Sequence, residues 1–100
     1  MKTIKIIGAE WDLVASPKRD ENEDRSQEKG GVLGENICGC CGKIIENLDE
    51  RKSLRIVDGG SYFTEYDGEL SSTHDMGWWF VGSVCYKKFL KNRKEIEIEE

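Results

Sequence analysis

Three cysteines stand close together in the middle of the chain, in the sequence Cys38-Gly-Cys-Cys-Gly-Lys43. Two thiols in a C-x2-C spacing, with glycine directly after the second, are typical of a zinc knuckle, a tight loop that points two sulfurs at one ion. The glycines supply the backbone freedom that such a loop needs. The spacing therefore predicts that Cys38 and Cys41 ligate zinc, whereas Cys40, adjacent to Cys41, is interpreted as a spare thiol.

A tetrahedral zinc ion needs two further ligands, and the rest of the chain offers few. Cys85 lies at the start of a predicted helix whose N-terminal dipole favours a thiolate, and His74 is the only histidine. We expect one structural Zn²⁺ in a Cys3His site. Its predicted ligands are Cys38, Cys41, His74 and Cys85. Asp75 and Cys40 are the alternatives to His74 as the fourth ligand.

The size and charge of the chain favour metal over disulfides. The chain has 100 residues, of which 35% are charged, so it forms one domain with a small apolar core. Structural zinc can supply on the order of 10 kcal/mol of apparent folding energy. The N-terminal sequence has no apolar run typical of a signal peptide, and no later run approaches membrane length. We therefore expect a cytoplasmic protein with reduced cysteines and no membrane contact.

The composition divides the chain into four segments. Residues 1–15 alternate weakly and predict a β-hairpin or strand. Residues 16–36 begin with a charged run that has no large apolar side chain, which predicts a mobile loop. Residues 37–94 form the predicted zinc-binding domain, and residues 95–100 an acidic tail.

Within the zinc-binding domain the elements follow in a simple order. Residues 53–57 and 61–66 predict a β-hairpin around the turn Asp58-Gly-Gly60, and residues 76–81 predict a further strand. A helix is expected from Val84, with Cys85, Tyr86, Phe89 and Leu90 on its inner face. The adjacent tryptophans Trp78 and Trp79 are interpreted as core residues; the alternative is that one ring is an exposed interface anchor.

The charges suggest two different surfaces. The formal net charge of −5 argues against a chain built as a whole to coat nucleic acid. One set of residues is acidic and would meet a basic patch on a protein partner: Asp49, Glu50, Glu65, Asp67 and Glu69. The other set is basic and lies at the predicted C-terminal helix, where it would contact nucleic acid: Lys87, Lys88, Lys91, Arg93 and Lys94. A solvated charged face is the simpler interpretation of the basic set.

Enzymatic activity is not expected from this sequence. The thiols and the imidazole that could form a nucleophile and base pair are already used by the predicted metal site, and thiolates that hold zinc are poor nucleophiles. The sequence contains no paired carboxylates, phosphate-binding glycine loop or triad-like order.

The order of knuckle, β-hairpin, strand and ligand-bearing helix resembles a treble-clef zinc finger. Such fingers commonly place two ligands at the helix start, where this chain has only Cys85. The fold expectation is thus an α+β, zinc-stabilised, treble-clef-like domain with antiparallel β-hairpins and one C-terminal helix.

The chain from 37 to about 90 is also similar to small zinc-ribbon proteins encoded by bacteriophages. That resemblance implies a viral protein in the host cytoplasm that binds a host or phage protein, such as a host enzyme, as a regulator or inhibitor. The alternative function is a nucleic-acid-binding zinc finger.

Overall fold

The computed structural model describes residues 2–71 and 74–99. Five strands form one antiparallel sheet: β1 (Thr3–Glu10), β2 (Lys52–Val57), β3 (Tyr62–Thr64), β4 (Asp75–Val81) and β5 (Lys94–Glu99). Their order across the sheet is β4-β2-β3-β1-β5. Three helices complete the fold: α1 (Trp11–Val14), α2 (Arg19–Glu28) and α3 (Ser83–Lys91). The expected small α+β domain with an antiparallel sheet is confirmed.

The predicted hairpin in the second half of the chain is present. Strands β2 and β3 pair through Ile56 with Phe63 and Val57 with Tyr62. The turn between them contains Asp58–Gly60, where Gly59 has a φ of 67° that favours glycine. The predicted strand at 76–81 is β4, which pairs with the outer side of β2. The signals were the turn residues Asp58-Gly-Gly60 for the hairpin and the apolar run at 76–81 for β4.

The main core lies between one face of the sheet and helices α1 and α3. Leu54 and Phe63 from the sheet are fully buried together with Phe89 of α3. On the opposite face a second cluster forms from Ile6, Val57, Ile96 and Ile98. The largest apolar side chains are therefore shared between two small clusters, which fits a chain of this length.

The two tryptophans of β4 differ in exposure. Trp79 faces the main core, where its ring meets Trp11 edge-on at a centroid distance of 5.6 Å. Trp78 faces the other way and is 46% exposed. Its ring lies 5.8 Å from the guanidinium carbon of Arg55. Because successive strand residues point to opposite faces, the core interpretation holds for Trp79 and not for Trp78.

The N-terminal end of the chain forms a strand, one of its two predicted alternatives, whereas the C-terminal end differs from expectation. Strand β1 is present, but it continues into helix α1 and does not turn back as a hairpin. The predicted acidic tail contains β5, which pairs along β1 from Thr3 with Glu99 to Gly8 with Lys94. Ile96 and Ile98 alternate with glutamates and are both buried, so they supply the apolar face of β5. The prediction of an acidic tail took account only of the charge of the glutamates. Met1 and Glu100, which end the predicted segments, lie outside the described residues.

The charged segment 16–36 differs most. Its residues 19–28 form helix α2, although they read RDENEDRSQE and contain no apolar side chain. Ser26 is the only buried residue of this helix. The physical reason for the helix is the set of polar contacts that it makes with the cysteine loop.

Candidate metal centre

The cysteine loop has the backbone of a tight knuckle. Ile37 and Ile44 form an isolated antiparallel bridge, and the Cys38 N–H donates to the Lys43 carbonyl at 2.8 Å. The Gly42 N–H closes the loop on the Cys38 carbonyl, also at 2.8 Å. Gly42 has a φ of 78°, which a residue with a side chain adopts only at a cost. This geometry is the one that the C-x2-C-Gly pattern predicts.

Helix α3 brings the third sulfur. Cys85 lies in its first turn and is buried, and the Gly82 N–H just before the helix donates to Cys38 Sγ at 3.4 Å. The Gly39 N–H donates to the Phe80 carbonyl at 2.8 Å, which ties the knuckle to the end of β4. As a result, the sulfurs of Cys38, Cys41 and Cys85 all lie within 4.8 Å of one another. Three of the predicted ligands are thus brought together.

Cys40 is not a peripheral thiol. Its side chain is fully buried, but the sulfurs that lie within 4.8 Å of one another are those of Cys38, Cys41 and Cys85. All four cysteines are free, without a disulfide among them. The interpretation of Cys40 as a spare thiol, outside the knuckle pair, stays a prediction.

The thiols polarise one another. Hydrogen bonds from the thiols of Cys40, Cys41 and Cys85, and from the Gly82 N–H, hold the pKa of Cys38 well below its ordinary value. The same contact with Cys38 raises the pKa of Cys40, of Cys41 and of Cys85. Among these sulfurs, Cys38 is therefore the one whose charged form its neighbours stabilise. Such a set fits Zn²⁺, because soft sulfur donors in a closed, buried site are typical of structural zinc.

His74 lies elsewhere. It immediately precedes β4, whereas Cys85 follows the far end of that strand, so the seven residues of β4 separate the two. The His74 carbonyl accepts from the Asp58 N–H at 2.9 Å, and its Nδ1 lies 3.3 Å from Asp58 Oδ1, without the alignment of a hydrogen bond. The fold does not bring His74 to the cysteines. Its assignment rested on the scarcity of other ligands and not on a spacing.

Asp75, an alternative fourth ligand, is also engaged elsewhere. Its carboxylate accepts two bonds from Arg55, from Nε at 3.1 Å and from Nη2 at 2.9 Å. It also accepts from the Gly77 N–H at 3.0 Å. The guanidinium of Arg55 and this N–H lower the pKa of Asp75. The carboxylate therefore serves the β2–β4 pair and not the cysteine cluster.

Sequence reasoning missed the polar shell around the knuckle. Three side chains of α2 donate to its carbonyls. Arg19 Nε reaches Gly39 at 2.7 Å, Asn22 Nδ2 reaches Cys41 at 2.8 Å, and Ser26 Oγ reaches Gly42 at 2.6 Å.

The Ser16 N–H, just before α2, completes the shell by donating to the Cys40 carbonyl at 2.7 Å. Positions 19, 22 and 26 share one helix face, so the signal was a period of three and four in polar residues. Four consecutive knuckle carbonyls are satisfied in this way.

A groove of about 770 Å³ opens beside the three sulfurs of Cys38, Cys41 and Cys85. Its charged lining is mixed, with more cations than acids: Lys18, Arg25, Lys43 and Lys88 against Glu46 and Glu50. Cys40 is not part of this lining. The groove therefore borders Cys38, Cys41 and Cys85 but not the buried Cys40.

The residues of the predicted basic and acidic sets are exposed, but neither set lies on a single element of the fold. Of the basic set, Lys87, Lys88 and Lys91 lie on α3, whereas Arg93 follows the helix and Lys94 begins β5. Lys94 Nζ pairs with Glu10 at 2.7 Å. In the acidic set, Asp49 and Glu50 form part of a single 3-10 turn, and Glu65, Asp67 and Glu69 follow β3. Glu65 accepts a 2.7 Å bond from the Tyr86 hydroxyl.

None of the helices in the described part of the chain is long and apolar enough to cross a membrane. No known protein family, curated protein or solved structure matches this chain. The interpretation of the cysteine cluster therefore rests on the residues described above.

Proposed function

We propose that this chain is a small zinc-binding interaction protein in which the metal is structural. The observation that carries the proposal is the cluster of Cys38, Cys41 and Cys85, which joins the knuckle to helix α3 across 44 positions of sequence. A metal at this cluster would close a long loop and would replace much of the core that a chain of 100 residues lacks. The order of knuckle, hairpin and ligand-bearing helix supports a treble-clef-like arrangement around it.

The interaction part of the proposal follows from the resemblance and from the surface. A bacteriophage origin would make the partner a host or phage protein in the host cytoplasm, and an enzyme regulated or inhibited by binding is one such partner. Asp67 and Glu69 extend from an exposed connection after β3 and offer negative charge to a basic patch. Trp78 and Met76, both about half exposed on edge strand β4, supply the apolar contact that a protein interface needs.

The metal is tested first, by elemental analysis of protein purified without an affinity tag that binds metal. We expect one zinc per chain in the wild type and none in Cys85→Ser. A folded, reduced wild type without metal would overturn the proposal and would leave the thiols to redox chemistry or packing.

The partner is tested by affinity capture from a bacterial host lysate, with wild type and a variant that carries Asp67→Lys and Glu69→Lys. We expect one host protein to be retained by the wild type, to be lost with the charge reversal, and to bind again when both proteins are purified. The matched control is Glu21→Lys with Asp24→Lys on the exposed face of α2, which should leave capture unchanged.

A second candidate function is nucleic-acid binding, and the groove is the observation that favours it. Lys18, Lys43 and Lys88 come from separate parts of the chain and line the same groove beside the metal cluster. Backbone phosphates are recognised by such convergent cations. Retention on DNA or RNA that falls steeply with salt, and that is lost in Lys18→Glu/Lys43→Glu/Lys88→Glu, would favour this function. Lys2→Glu/Lys5→Glu/Lys29→Glu, which makes the same change of net charge at exposed lysines outside the groove, is the control. Absence of retention at low salt would favour the protein partner.

A further inference from the structure

We infer that the outer edge of strand β4 binds an extended segment of a protein partner, which adds to the sheet as a further strand. The segment places an apolar side chain in a cleft beside Trp78 and presents a carboxylate to Arg51. The inference rests on the proposed interaction function and specifies where and how the partner binds.

Strand β4 has free backbone groups at its outer edge. It ends the order of strands in the sheet and, within the described residues, pairs only with β2. The Phe80 carbonyl points away from β2, since it accepts from the Gly39 N–H of the knuckle at 2.8 Å. Because the direction of the backbone groups alternates along a strand, the N–H and carbonyl of Trp78 also point outward. Neither group has a hydrogen-bond partner among the residues that the structure describes, so both can pair with an added strand.

The edge of β4 also lacks the charged side chains that usually protect an edge strand. Asp75 is the only charged residue of β4, and it is held by Arg55, with 2.9 Å between Oδ2 and Nη2. The rest of the strand is uncharged, whereas the other edge strand, β5, carries a glutamate at every second position. Met76 is 53% exposed and Trp78 is 46% exposed. One edge of the sheet is thus protected against pairing, and the other is not.

An apolar cleft of about 150 Å³ lies at the same edge. Trp78 and Trp79 both line it, although successive residues of a strand point to opposite faces, so the cleft lies across the edge and not on one face. Leu33 and Ile37, which precede the knuckle, also line it, and Leu33 is 54% exposed. A cavity of this volume holds roughly one benzene-sized group. An added strand would therefore place one large apolar side chain there.

The charge beside the cleft defines the partner further. Three arginines lie against the three successive aromatic rings of β4. Arg19 and Arg55 already pair with carboxylates of this chain. Arg51, whose Cζ lies 4.2 Å from the Phe80 ring centroid, donates to the Glu35 carbonyl and has no ion pair within the described residues. Its remaining N–H groups suit a carboxylate of the partner.

A second copy of this chain fits the edge less well than a short segment does. The regular edge is short, because the Gly77 N–H bonds to the Asp75 carboxylate at 3.0 Å and Gly77 has a φ of 92°. Residues 78–80 span about 10 Å, whereas a stable dimer needs roughly 1,200 Å² of buried surface. Two copies, each with a formal net charge of −5, also repel one another. An extended segment needs only a few main-chain bonds and one filled cleft.

The probe is a random library of strand-length peptides, about six residues long, displayed on a cell surface. The purified wild type selects binders, and Trp78→Glu removes those that bind elsewhere. We expect the enriched sequences to contain one large apolar residue and one Asp or Glu. Absence of enrichment, or enrichment that Trp78→Glu retains equally, would overturn the inference.

An enriched peptide, made synthetically, distinguishes strand addition from binding in the cleft alone. Alternate N-methylation removes the N–H groups along one side of an extended peptide and leaves its side chains in place. Methylation of one side should abolish binding to the wild type, whereas methylation of the other side should leave the dissociation constant nearly unchanged. Equal effects of the two methylations would overturn strand addition. This measurement needs no variant of the protein.

Variants that played no part in the selection test the two side-chain contacts. Leu33→Glu should weaken binding of the peptide at least about 10-fold, because it places a charge in the cleft. Arg51→Glu should weaken it about 10-fold, and a peptide with Lys in place of its acid should bind Arg51→Glu better than wild type. The matched controls Leu13→Glu and Arg93→Glu change exposed residues outside the cleft and should leave binding unchanged. Equal affinities for wild type, Leu33→Glu and Arg51→Glu would contradict the inference.

Failure of this inference and failure of the proposed function give different results. If a host protein is captured through Asp67 and Glu69 while no peptide binds at β4, the inference is overturned and the proposed function stands. If peptides bind at β4 but the purified protein contains no zinc, the proposed structural metal is overturned and the site at β4 stands.

Discussion

Helices α2 and α3 both bind the cysteine loop, but by opposite chemistry. Helix α3 presents an apolar face, with Cys85 and Phe89 buried, and contributes a sulfur to the cluster. Helix α2 has no apolar residue and contacts the loop through polar side chains that donate to its carbonyls. The comparison shows that a helix can be fixed to a domain without hydrophobic burial when its partner exposes unsatisfied backbone groups.

The largest effect should follow from breaking the α3 attachment. Cys85→Ser removes one sulfur from the cluster, and the remaining thiols cannot enclose a metal ion without it. We expect the free energy of unfolding in the presence of zinc to fall by roughly 5 kcal/mol or more, since structural zinc contributes on the order of 10 kcal/mol. Denaturation in urea, followed by circular dichroism, measures the change.

A chelator provides the control for that prediction. It should destabilise the wild type to the level of Cys85→Ser and leave the variant almost unchanged. A wild type whose urea midpoint does not respond to the chelator would show that α3 is held by packing alone.

The next largest effect concerns the α2 attachment. In Gly42→Ala the new Cβ would lie 2.2 Å from the Arg19 carbonyl and 2.7 Å from the Glu23 amide, at a φ of 78°. We expect a loss of about 3 kcal/mol, from backbone strain of about 1–2 kcal/mol and from displacement of the helix. Thermal unfolding of the zinc-loaded protein checks the value.

Gly34→Ala is the matched control for strain alone. Its φ is 84°, but nothing lies within 4 Å of the added Cβ, so it should cost only about 1 kcal/mol. Equal losses at the two glycines would mean that α2 does not rest on the knuckle as described.

A single hydrogen bond between α2 and the knuckle gives a smaller effect. Ser26→Ala removes the 2.6 Å bond to the Gly42 carbonyl in a buried position. The unsatisfied carbonyl should cost about 1–3 kcal/mol, and amide hydrogen exchange along α2 should accelerate. Gln27→Ala on the exposed side of the same helix should remain within about 0.5 kcal/mol of wild type. If Ser26→Ala leaves the free energy of unfolding unchanged, α2 is held by its other contacts.

The smallest effect is expected at Arg19, at the start of α2, where two substitutions separate the charge of the side chain from its planar geometry. Arg19 donates to Gly39, pairs with Glu23 at 3.1 Å and lies 4.6 Å from the Trp79 ring centroid. Arg19→Lys keeps the charge but loses the planar fork, which should cost about 1 kcal/mol. Comparison of Arg19→Lys with Arg19→Met by urea denaturation measures it. If the two variants lose equal stability, the geometry of the guanidinium and not its charge holds the helix.

The same comparison explains which parts were predictable from sequence. Strand β2 follows from the turn after it, strand β4 from its apolar run and the inner face of α3 from apolar periodicity, and the knuckle follows from the spacing of Cys38 and Cys41. Helix α2 could not be predicted in this way, because the side chains that attach it to the knuckle are polar like the rest of the helix. Only their bonds to the knuckle carbonyls distinguish them, and the sequence does not show those bonds. The position of His74 could not be inferred either, since a strand of seven residues fixes it and no local spacing relates it to the cysteines. Strand β5 could have been inferred from the alternation of Ile96 and Ile98.

Strand β5 also bears on the tendency of the protein to aggregate. Within the described residues it pairs only with β1, so its other edge is open, and open edges are templates for pairing with another chain. Glu95, Glu97 and Glu99 stand at every second position along that edge, all exposed. A second copy that docked there would bring two rows of carboxylates together, which is unfavourable. The glutamates of this strand thus disfavour edge-to-edge pairing, while its isoleucines hold it in the sheet.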